Sequence, residues 1–281
     1  HPDVATSLNN LAMLLLESGD YDHAEAHLRD ALAIYRDAWG DIDVDVAACL
    51  NNLGMLFHRL GDYAGAEPFY LEALEVRTAI FGEKHADVAT SLNNLASLHY
   101  AQGDYAAAEP LLRKSTSIMR SILGPEHPRV AVALSNLAAL LVSLGNEVEA
   151  EPLIREALAI NRDALGGDHP EVARGLINLA HIVETRGDYT GAERLLRDAL
   201  EIRLGVYGEK HAAVAEARNA IAHVLQTYGE YGRAEEEYRA ALEVRMALFG
   251  EQHLEVATSL SNLASLHEAR GEYEEALELY E

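Results

Sequence analysis

Apolar and polar positions follow the period of an α-helix along most of this chain, and glycines interrupt the pattern at regular intervals. In one stretch, Val88, Leu92, Leu95 and His99 fall on one side of a helix that turns 100° per residue. Gly103 then ends the periodic run, as expected of a C-terminal helix cap. A second amphipathic run follows. The pattern predicts pairs of amphipathic helices joined by short turns.

The whole pattern recurs with a period of 42 residues. The segment VATSLNNLA occupies residues 4–12 and 88–96, and VATSLSNLA occupies residues 256–264, with weaker copies beginning at Val46 and Val130 and at two later valines. A fixed period of this size is typical of a solenoid, in which each unit packs on its neighbours. No linker rich in Gly, Ser or Pro interrupts the series. We therefore predict one array over residues 1–281, with repeats at 1–42, 43–84, 85–126, 127–168, 169–210, 211–252 and an incomplete one at 253–281.

Each repeat is predicted to contain an A helix and a B helix. In the first repeat, helix A is expected over residues 2–17 with a stop at Gly19. Asp20 is a favourable N-cap for helix B, which is expected over residues 21–38 with a stop at Gly40. The fold class predicted is therefore all-α.

The sides of the two helices are predicted to have different roles. Leu14 and its equivalents flank the apolar stripe of helix A and should meet a neighbouring repeat, whereas positions 6, 10, 13 and 17, flanked by 9 and 16, form the opposite side. Leu16 is thus expected on the open side of the first A helix. Helix B keeps alanine at position 24 in all seven repeats, which indicates close approach of two helices.

These positions resemble the signature of the tetratricopeptide repeat. In the first repeat the signature falls on Leu8, Leu11, Ala12, Gly19, Tyr21, Ala24, Leu28 and Ala31. The 42-residue form, with HPDVA, LNNLA, GDY and AEP in order, resembles the repeats of kinesin light chain and of related bacterial and fungal arrays. The resemblance implies a right-handed superhelical solenoid of antiparallel helix pairs. It also implies that A helices line a concave groove in which a peptide or protein segment lies.

Candidate groove residues lie on the A-helix side opposite the core. An asparagine-rich ladder is formed by Asn9, Asn51, Asn93, Ser135, Ile177, Asn219 and Ser261, beside Asn10, Asn52, Asn94, Asn136, Asn178 and Asn262. An amide both donates and accepts, so the ladder suits either an extended peptide backbone or the neighbouring A helix; both interpretations stay open. Variable positions predicted to set specificity are Met13, Met55, Arg59, Ser97, Tyr100, Arg174, His181 and His223. No lysine occupies these positions, which argues against a lysine-based grip on a C-terminal carboxylate.

Charge and composition narrow the classes of partner. The chain has 46 acidic and 22 basic residues, a formal net charge of −24. Nucleic acid and anionic membranes favour the opposite sign, so we expect neither as a partner. No apolar run approaches the length of a membrane span. The single cysteine, Cys49, suits a reducing compartment and a cytoplasmic location.

Several histidines and acidic residues have spacings that resemble those of chemical sites. A histidine opens six A helices, at positions 1, 85, 127, 169, 211 and 253. One histidine per repeat, with helices roughly 8–10 Å apart, does not converge on one metal, so these residues are predicted to cap helices. His23 and His27 share a helix face but lack a third ligand. His181 and His223, with Glu184 one turn away, suggest a small pH-sensitive or metal-binding patch, although contact with a ligand or solvent is favoured.

Other motifs fail on spacing. Asp41, Asp43 and Asp45 imitate the start of a calcium loop, but the required glycine and closing glutamate are missing, so helix capping is expected. Cys49 occupies a position held by small residues in other repeats and is predicted to pack in the core. No motif of a nucleophile, phosphate-binding loop or dinucleotide site is present. We therefore predict no enzyme activity, no cofactor and no metal site.

The predicted function is a scaffold or adaptor that binds a peptide or protein segment. One alternative is a regulatory or sensor arm of a larger NTPase or protease. Another is a structural array that associates with itself through its ends. His1 is already in register with the repeat and Glu281 falls at the position of Arg29, so we expect the sequence to be part of a longer protein.

Overall fold

The protein is described by a computed structural model over residues 1–280. Within this range the chain forms fourteen α-helices and no strand, so the predicted all-α class is confirmed. The helices belong to two compact units, His1–Asn146 (unit 1) and Glu147–Glu281 (unit 2). The single array expected from the sequence stays a prediction.

Unit 1 contains seven helices. Short turns connect them, and consecutive helices pack on one another. They are α1 (Pro2–Ser18), α2 (Tyr21–Trp39), α3 (Val44–Arg59), α4 (Tyr63–Phe81), α5 (Ala86–Ala101), α6 (Tyr105–Leu123) and α7 (Pro128–Ser143). The A helices also contact one another, α1 with α3 and α3 with α5. This arrangement places equivalent residues of successive A helices side by side.

Unit 2 is built in the same way. Its helices are α8 (Glu147–Leu165), α9 (Pro170–Thr185), α10 (Tyr189–Tyr207), α11 (Ala212–Tyr228), α12 (Tyr231–Phe249), α13 (Leu254–Arg270) and α14 (Tyr273–Tyr280). The A helices α9 and α11 contact each other directly. Glu281, where the last helix is expected from the sequence to end, lies outside the described residues.

Local sequence explains where the helices begin and end. The Asp62 and Asp104 carboxylates accept the N–H groups of Gly65 and Ala107 at 2.9 and 3.0 Å, so each caps a B helix. Gly19 follows α1 with φ of +83° and closes the helix by donating its N–H to the Leu15 carbonyl. A left-handed residue of this kind is strained for any side chain but tolerated by glycine.

The core of each unit lies between its A and B helices. The alanine kept at position 24 is buried throughout, with at most 2% exposure at Ala276 and none at Ala24 or Ala192. Gly54 shows how close the helices come, since a Cβ at that position would lie 2.7 Å from Cδ1 of Tyr70. Small residues at these positions therefore set the separation of the helices.

Two predictions for α1 need correction. Leu16 was expected on the open side but is 1% exposed, because it packs into the core cluster that includes Leu28. Leu14 was expected to meet a neighbouring repeat but is 64% exposed. Its equivalents Leu56 and Leu98 are fully buried, because another helix pair precedes theirs, and none precedes α1 in the structure.

Candidate peptide-binding groove

Hydrogen bonds join the asparagines of neighbouring A helices. The Nδ2 group of Asn94 donates to Oδ1 of Asn51 at 2.7 Å, and Asn136 donates to Asn93 in the same way at 2.8 Å. The same bond links Asn52 to Asn9 in unit 1, and Asn262 to Asn219 in unit 2. In each pair, the side-chain N–H of one asparagine and the side-chain oxygen of the other therefore link two adjacent A helices.

In unit 2, the pair of positions between α9 and α11 that would hold two hydrogen-bonded asparagines is occupied by two apolar residues. Ile177 on α9 replaces the acceptor, and Ala220 on α11 replaces the donor. Both side chains are half-buried and pack against the same core cluster. Paired replacement avoids leaving an amide without a partner, which would cost more than exchanging both groups. The interhelical interpretation thus accounts for these contacts, and peptide binding by Asn9, Asn51, Asn93 and Asn219 stays a prediction.

Four candidate groove residues of unit 1 share a cleft with a volume of about 210 Å³. This unit-1 cleft is lined by Asn93, Ala96, Ser97, Tyr100, Leu112, Asn136 and Ala139. Ser97 is exposed, Tyr100 is 39% exposed, and the buried Leu112 comes from a B helix. The Tyr100 and Ser143 hydroxyls lie 2.8 Å apart. The cleft therefore offers an apolar surface next to amide and hydroxyl groups.

The other predicted residues of unit 1 lie outside that cleft. Met13 and Met55 are half-buried, and Met55 packs against the hydrophobic core. Arg59 is exposed, but its Nη1 group donates to the Leu16 carbonyl in the last turn of α1 at 3.4 Å. Ser135 is half-buried. Arg59 is thus exposed to solvent and also donates a hydrogen bond to a carbonyl at the C-terminal end of α1, which has no partner within the helix.

Unit 2 brings His181 and His223 together around one carboxylate. Nδ1 of His223 lies 3.1 Å from Glu184 Oε1, and Nδ1 of His181 lies 3.9 Å from Oε2. The Glu184 side chain is only 13% exposed, whereas the imidazoles are 65% and 59% exposed. Arg174, the remaining predicted residue of unit 2 beside Asn219, is exposed and pairs with Glu171.

The three groups shift one another's protonation. The contact with His181 and then the hydrogen bond to His223 lower the pKa of Glu184 to about 2, in spite of its burial. The Glu184 carboxylate raises the pKa of His223, to which it is hydrogen-bonded, and its close contact raises the pKa of His181. Glu184 therefore stays ionised and favours the protonated form of both imidazoles.

A second cleft adjoins this cluster, with a volume of about 330 Å³. The unit-2 cleft is lined by His223, Gln226, Thr227, Tyr238, Asn262, Ser265 and Ala269. The buried Tyr238 donates its hydroxyl to Gln226 Oε1 at 2.9 Å, and burial raises the pKa of Tyr238 to about 12. Every lining residue except Tyr238 lies at a position that the sequence assigned to the open side of an A helix, and Asn262 and His223 were also named as candidates.

The histidines that open A helices act as caps. The Nδ1 atom of His85 accepts the Asp87 N–H at 3.2 Å, and the same bond is made by His1, His127, His169, His211 and His253. The ring of His85 also stacks on Phe81 at the end of the preceding B helix, with centroids 4.1 Å apart. Asp43 takes this role in the second repeat by accepting from Asp45. These residues are therefore committed to repeat junctions.

Cys49 is fully buried, and its thiol donates to the Leu28 carbonyl, with a sulfur–oxygen distance of 3.2 Å. Burial raises the pKa of the thiol to about 12. Because the thiolate is the nucleophilic form, this environment makes Cys49 unreactive in the folded state.

Sequence reasoning missed a set of arginines on B helices. Arg77 donates to Ser91 Oγ at 2.7 Å, and the buried Arg245 makes the same bond to Ser259. Each also reaches a backbone carbonyl in the first turn of the next A helix. The signal was present, because an arginine and a serine recur fourteen residues apart in two repeats.

No group of three or more metal-ligating side chains within residues 1–280 is positioned to hold a metal ion. None of the helices in that range is both long and apolar enough to span a bilayer.

Comparisons with known proteins place these features in a family. A family model described as tetratricopeptide repeat matches residues 45–121, 87–163, 129–204, 184–245 and 213–281, and a second model with that description matches residues 4–44. No curated protein sequence matches the chain significantly.

Solved structures share the fold. BtubC (BKLC) from P. vanneervenii has 23% identity and a TM-score of 0.65, over 78% of this chain and 87% of that one. The nearly identical TPR-like repeats of a Podosopora anserina protein assigned as a kinesin light chain have 24% identity and a TM-score of 0.61, over 70% and 93% of the two chains.

A third likeness is to a signal transduction ATPase with a tetratricopeptide repeat sensor from Pyrococcus horikoshii. It has 15% identity and a TM-score of 0.74, over 99% of this chain and 41% of that one. At these identities the likenesses show the fold alone. With family models matched along almost its whole length, the chain belongs to the tetratricopeptide repeat family.

Proposed function

We propose that this protein is a non-enzymatic interaction module that binds an extended peptide or protein segment along its A helices. Members of the family generally mediate interactions between proteins. The observation that carries the proposal for this chain is the unit-1 cleft, in which the exposed Ser97 and Tyr100 lie next to the Asn93–Asn136 pair.

The chemistry of the cleft suits a peptide. Leu112, Ala96 and Ala139 provide an apolar surface for one side chain, and the hydroxyl and amide groups at the rim can pair with a peptide backbone. After each asparagine pair forms, one Nδ2 group and one Oδ1 atom still have hydrogen-bonding capacity. Helices held in place by these pairs present their groups without a large ordering cost on binding.

A test uses peptides selected from a random display library against the whole chain. Affinity of the selected peptides is then measured for the wild type and for Ser97→Arg, which places a long side chain in the unit-1 cleft. We expect Ser97→Arg to weaken binding at least about tenfold, since central interface positions dominate affinity.

The matched control is Ser117→Arg, an exposed serine on the B helix α6 of the same unit. It should bind the peptides as the wild type does. If Ser117→Arg abolishes binding and Ser97→Arg does not, the B-helix side is the binding surface and the proposal fails. Loss of helical circular dichroism in either variant would identify a folding defect instead.

A second candidate is a sensor arm of a larger NTPase or protease. It is favoured by the likeness to the Pyrococcus horikoshii ATPase, whose name includes a tetratricopeptide repeat sensor. The test is the coding sequence on either side of this chain. A phosphate-binding loop of the form GxxxxGK[ST] between a strand and a helix would support the arm, and flanking sequence without any catalytic motif would contradict it.

A further inference from the structure

We propose that His223, together with His181 and Glu184, makes the unit-2 cleft a proton-dependent binding site for a carboxylate group. The inference rests on the proposed function, because the carboxylate would belong to the bound protein segment. The inference specifies that the ligand carries a carboxylate and that its binding depends on pH.

The geometry defines which atom of His223 faces a ligand. Its Nδ1 atom lies 3.1 Å from the Glu184 carboxylate, so Nδ1 carries a proton in the neutral ring and donates to that oxygen. Nε2 is then a hydrogen-bond acceptor. Protonation places a second N–H on Nε2 and changes it to a donor. One proton therefore reverses the hydrogen-bonding role of the atom that is free for a ligand.

The charge of the cluster changes in the same direction. With both imidazoles neutral, Glu184 gives the three groups a net charge of −1. With both protonated, the net charge is +1. Glu184 remains ionised throughout, and its lowered pKa and the raised pKa of each histidine have the same cause, their mutual contacts. A carboxylate is thus repelled at high pH and attracted at low pH.

Groups on neighbouring elements do not reverse this behaviour. Glu147 from α8 acts on His181 and raises its pKa, and the two imidazoles repel each other, which lowers the pKa of His181. Glu184 is the carboxylate that raises the pKa of His223. Tyr238 from α12 is neutral near physiological pH, because burial raises its pKa to about 12.

The lining of the cleft matches a carboxylate. No acidic residue lines it, in a chain with 46 acidic residues. Apart from His223 and Ala269, the lining side chains are hydroxyls and amides. Asn262 and Ser265 can donate to a carboxylate, whereas the Thr227 hydroxyl already donates to the His223 carbonyl at 2.9 Å. The arrangement therefore surrounds the switchable imidazole with neutral donors.

The experiment uses NMR of the whole chain with ¹³C- and ¹⁵N-labelled histidine. Three small probes are titrated at pH 5.5 and pH 8. N-acetyl-glutamate N-methylamide carries a side-chain carboxylate, N-acetylalanine carries a terminal carboxylate, and N-acetyl-glutamine N-methylamide carries the matching amide. The first two probes distinguish an acidic side chain from a chain terminus as the source of the carboxylate.

We expect the carboxylate probes to shift the His223 ring signals at pH 5.5, with affinity lower by about tenfold at pH 8. The glutamine probe should not gain affinity at low pH. His223→Gln should abolish the pH dependence, and His23 supplies an internal control. His23 also pairs with a carboxylate, Asp20 at 2.8 Å, and its pKa is raised, but it lines neither cleft. Its signals should follow pH and ignore the probes.

Equal affinity of the carboxylate probes at both pH values would overturn the proposal. So would equal shifts at His23 and His223, which would indicate general attraction to imidazolium groups. The outcome is independent of the peptide selection, because it is read directly at the imidazoles. Failure here with success at Ser97 would leave the proposed function intact and remove only this inference.

Discussion

Units 1 and 2 use the same interhelical asparagine bonds but place different chemistry beside them. In unit 1, Ser97 and Tyr100 lie one turn apart on α5 and line a neutral cleft. The equivalent positions of α9 in unit 2 carry His181 and Glu184. Residues at positions 9 and 10 thus hold the A helices together, whereas the residues at positions 13 and 16 differ between α5 and α9 and give the two surfaces different chemistry.

The helix interfaces beneath these surfaces differ too. Tyr70 in unit 1 and Tyr238 in unit 2 are equivalent and 3% exposed. Tyr70 packs against Gly54, whereas the residue equivalent to Gly54 in unit 2 is Ala222. Tyr238 bonds to Gln226, while Tyr70 has an edge contact with His58 at 6.4 Å between centroids. The same tyrosine is thus accommodated in two ways.

Gly54→Ala should have the largest effect on stability. The new Cβ would lie 2.7 Å from the buried Tyr70 ring. Overpacking costs roughly 1–3 kcal/mol, and the better helix propensity of alanine returns up to about 1 kcal/mol. We expect a net loss of about 1–2 kcal/mol in the free energy of unfolding, measured with denaturant.

The double variant Gly54→Ala with Tyr70→Leu should be at least as stable as Gly54→Ala alone, since Leu112 occupies the equivalent position beside Ala96. Ala222→Gly in unit 2 should lose about 1 kcal/mol through propensity, with no steric relief. If Gly54→Ala is as stable as the wild type, the two tyrosine environments do not differ in the way described.

Asn93→Ala should have the next largest effect. It removes the acceptor of the Asn136 amide, which is half-buried. We expect a loss of about 1 kcal/mol. The double variant Asn93→Ile with Asn136→Ala copies Ile177 and Ala220 of unit 2 and should recover most of that loss. A thermodynamic cycle that includes Asn93→Ile and Asn136→Ala alone measures the coupling, and strict additivity would contradict a pairing role.

Glu184→Gln should have the smallest effect on the free energy of unfolding, and it should change how that free energy depends on pH. The lowered pKa of Glu184 gives stability that is present above the ordinary carboxyl value, about 4.3, and is lost as pH falls toward about 2. The raised pKa values of His181 and His223 give stability that is complete below about pH 6.5 and is lost as pH rises through the raised values.

The wild type should therefore exceed Glu184→Gln by more at pH 5.5 than at pH 8.5, with a change below about 1 kcal/mol because the imidazoles are exposed. Denaturant unfolding at both pH values checks this. Glu17→Gln, at an exposed glutamate of α1, is the matched control in unit 1 and should show no such change. An equal difference at the two pH values would refute the coupling.

Much of the fold was predictable because it depends on local sequence. The 42-residue period, the glycine stops and the aspartate and histidine caps locate most helix ends to within a residue or two. The prediction for Leu16 was wrong because helical periodicity shows which side of a helix a residue lies on. It does not show how far the packed core extends around that helix. The first repeat has a leucine at a position that carries Tyr100 or Glu184 elsewhere, and the core extends to meet it.

The candidate site was less predictable because it depends on contacts between repeats. From the sequence, the asparagine ladder could bind a peptide or link neighbouring A helices. The structure shows that amides such as Asn94 and Asn51 are hydrogen-bonded to each other between helices. The His181–Glu184–His223 cluster was visible as equivalent positions on adjacent helices. Gln226, Thr227 and Ser265 also line the unit-2 cleft at positions predicted to face the open side, but Tyr238 comes from a B helix and was not expected there.

The paired change at Ile177 and Ala220 also limits how such an array can gain or lose repeats. Removal of residues 43–84 would bring Asn94 opposite Asn9, and their hydrogen bond would be preserved. Removal of residues 211–252 would instead bring Asn262 opposite Ile177, and a half-buried amide would face a hydrocarbon side chain. The order of the repeats is therefore constrained by compatibility at each junction, and homologous recombination between repeats would be tolerated at one place and selected against at the other.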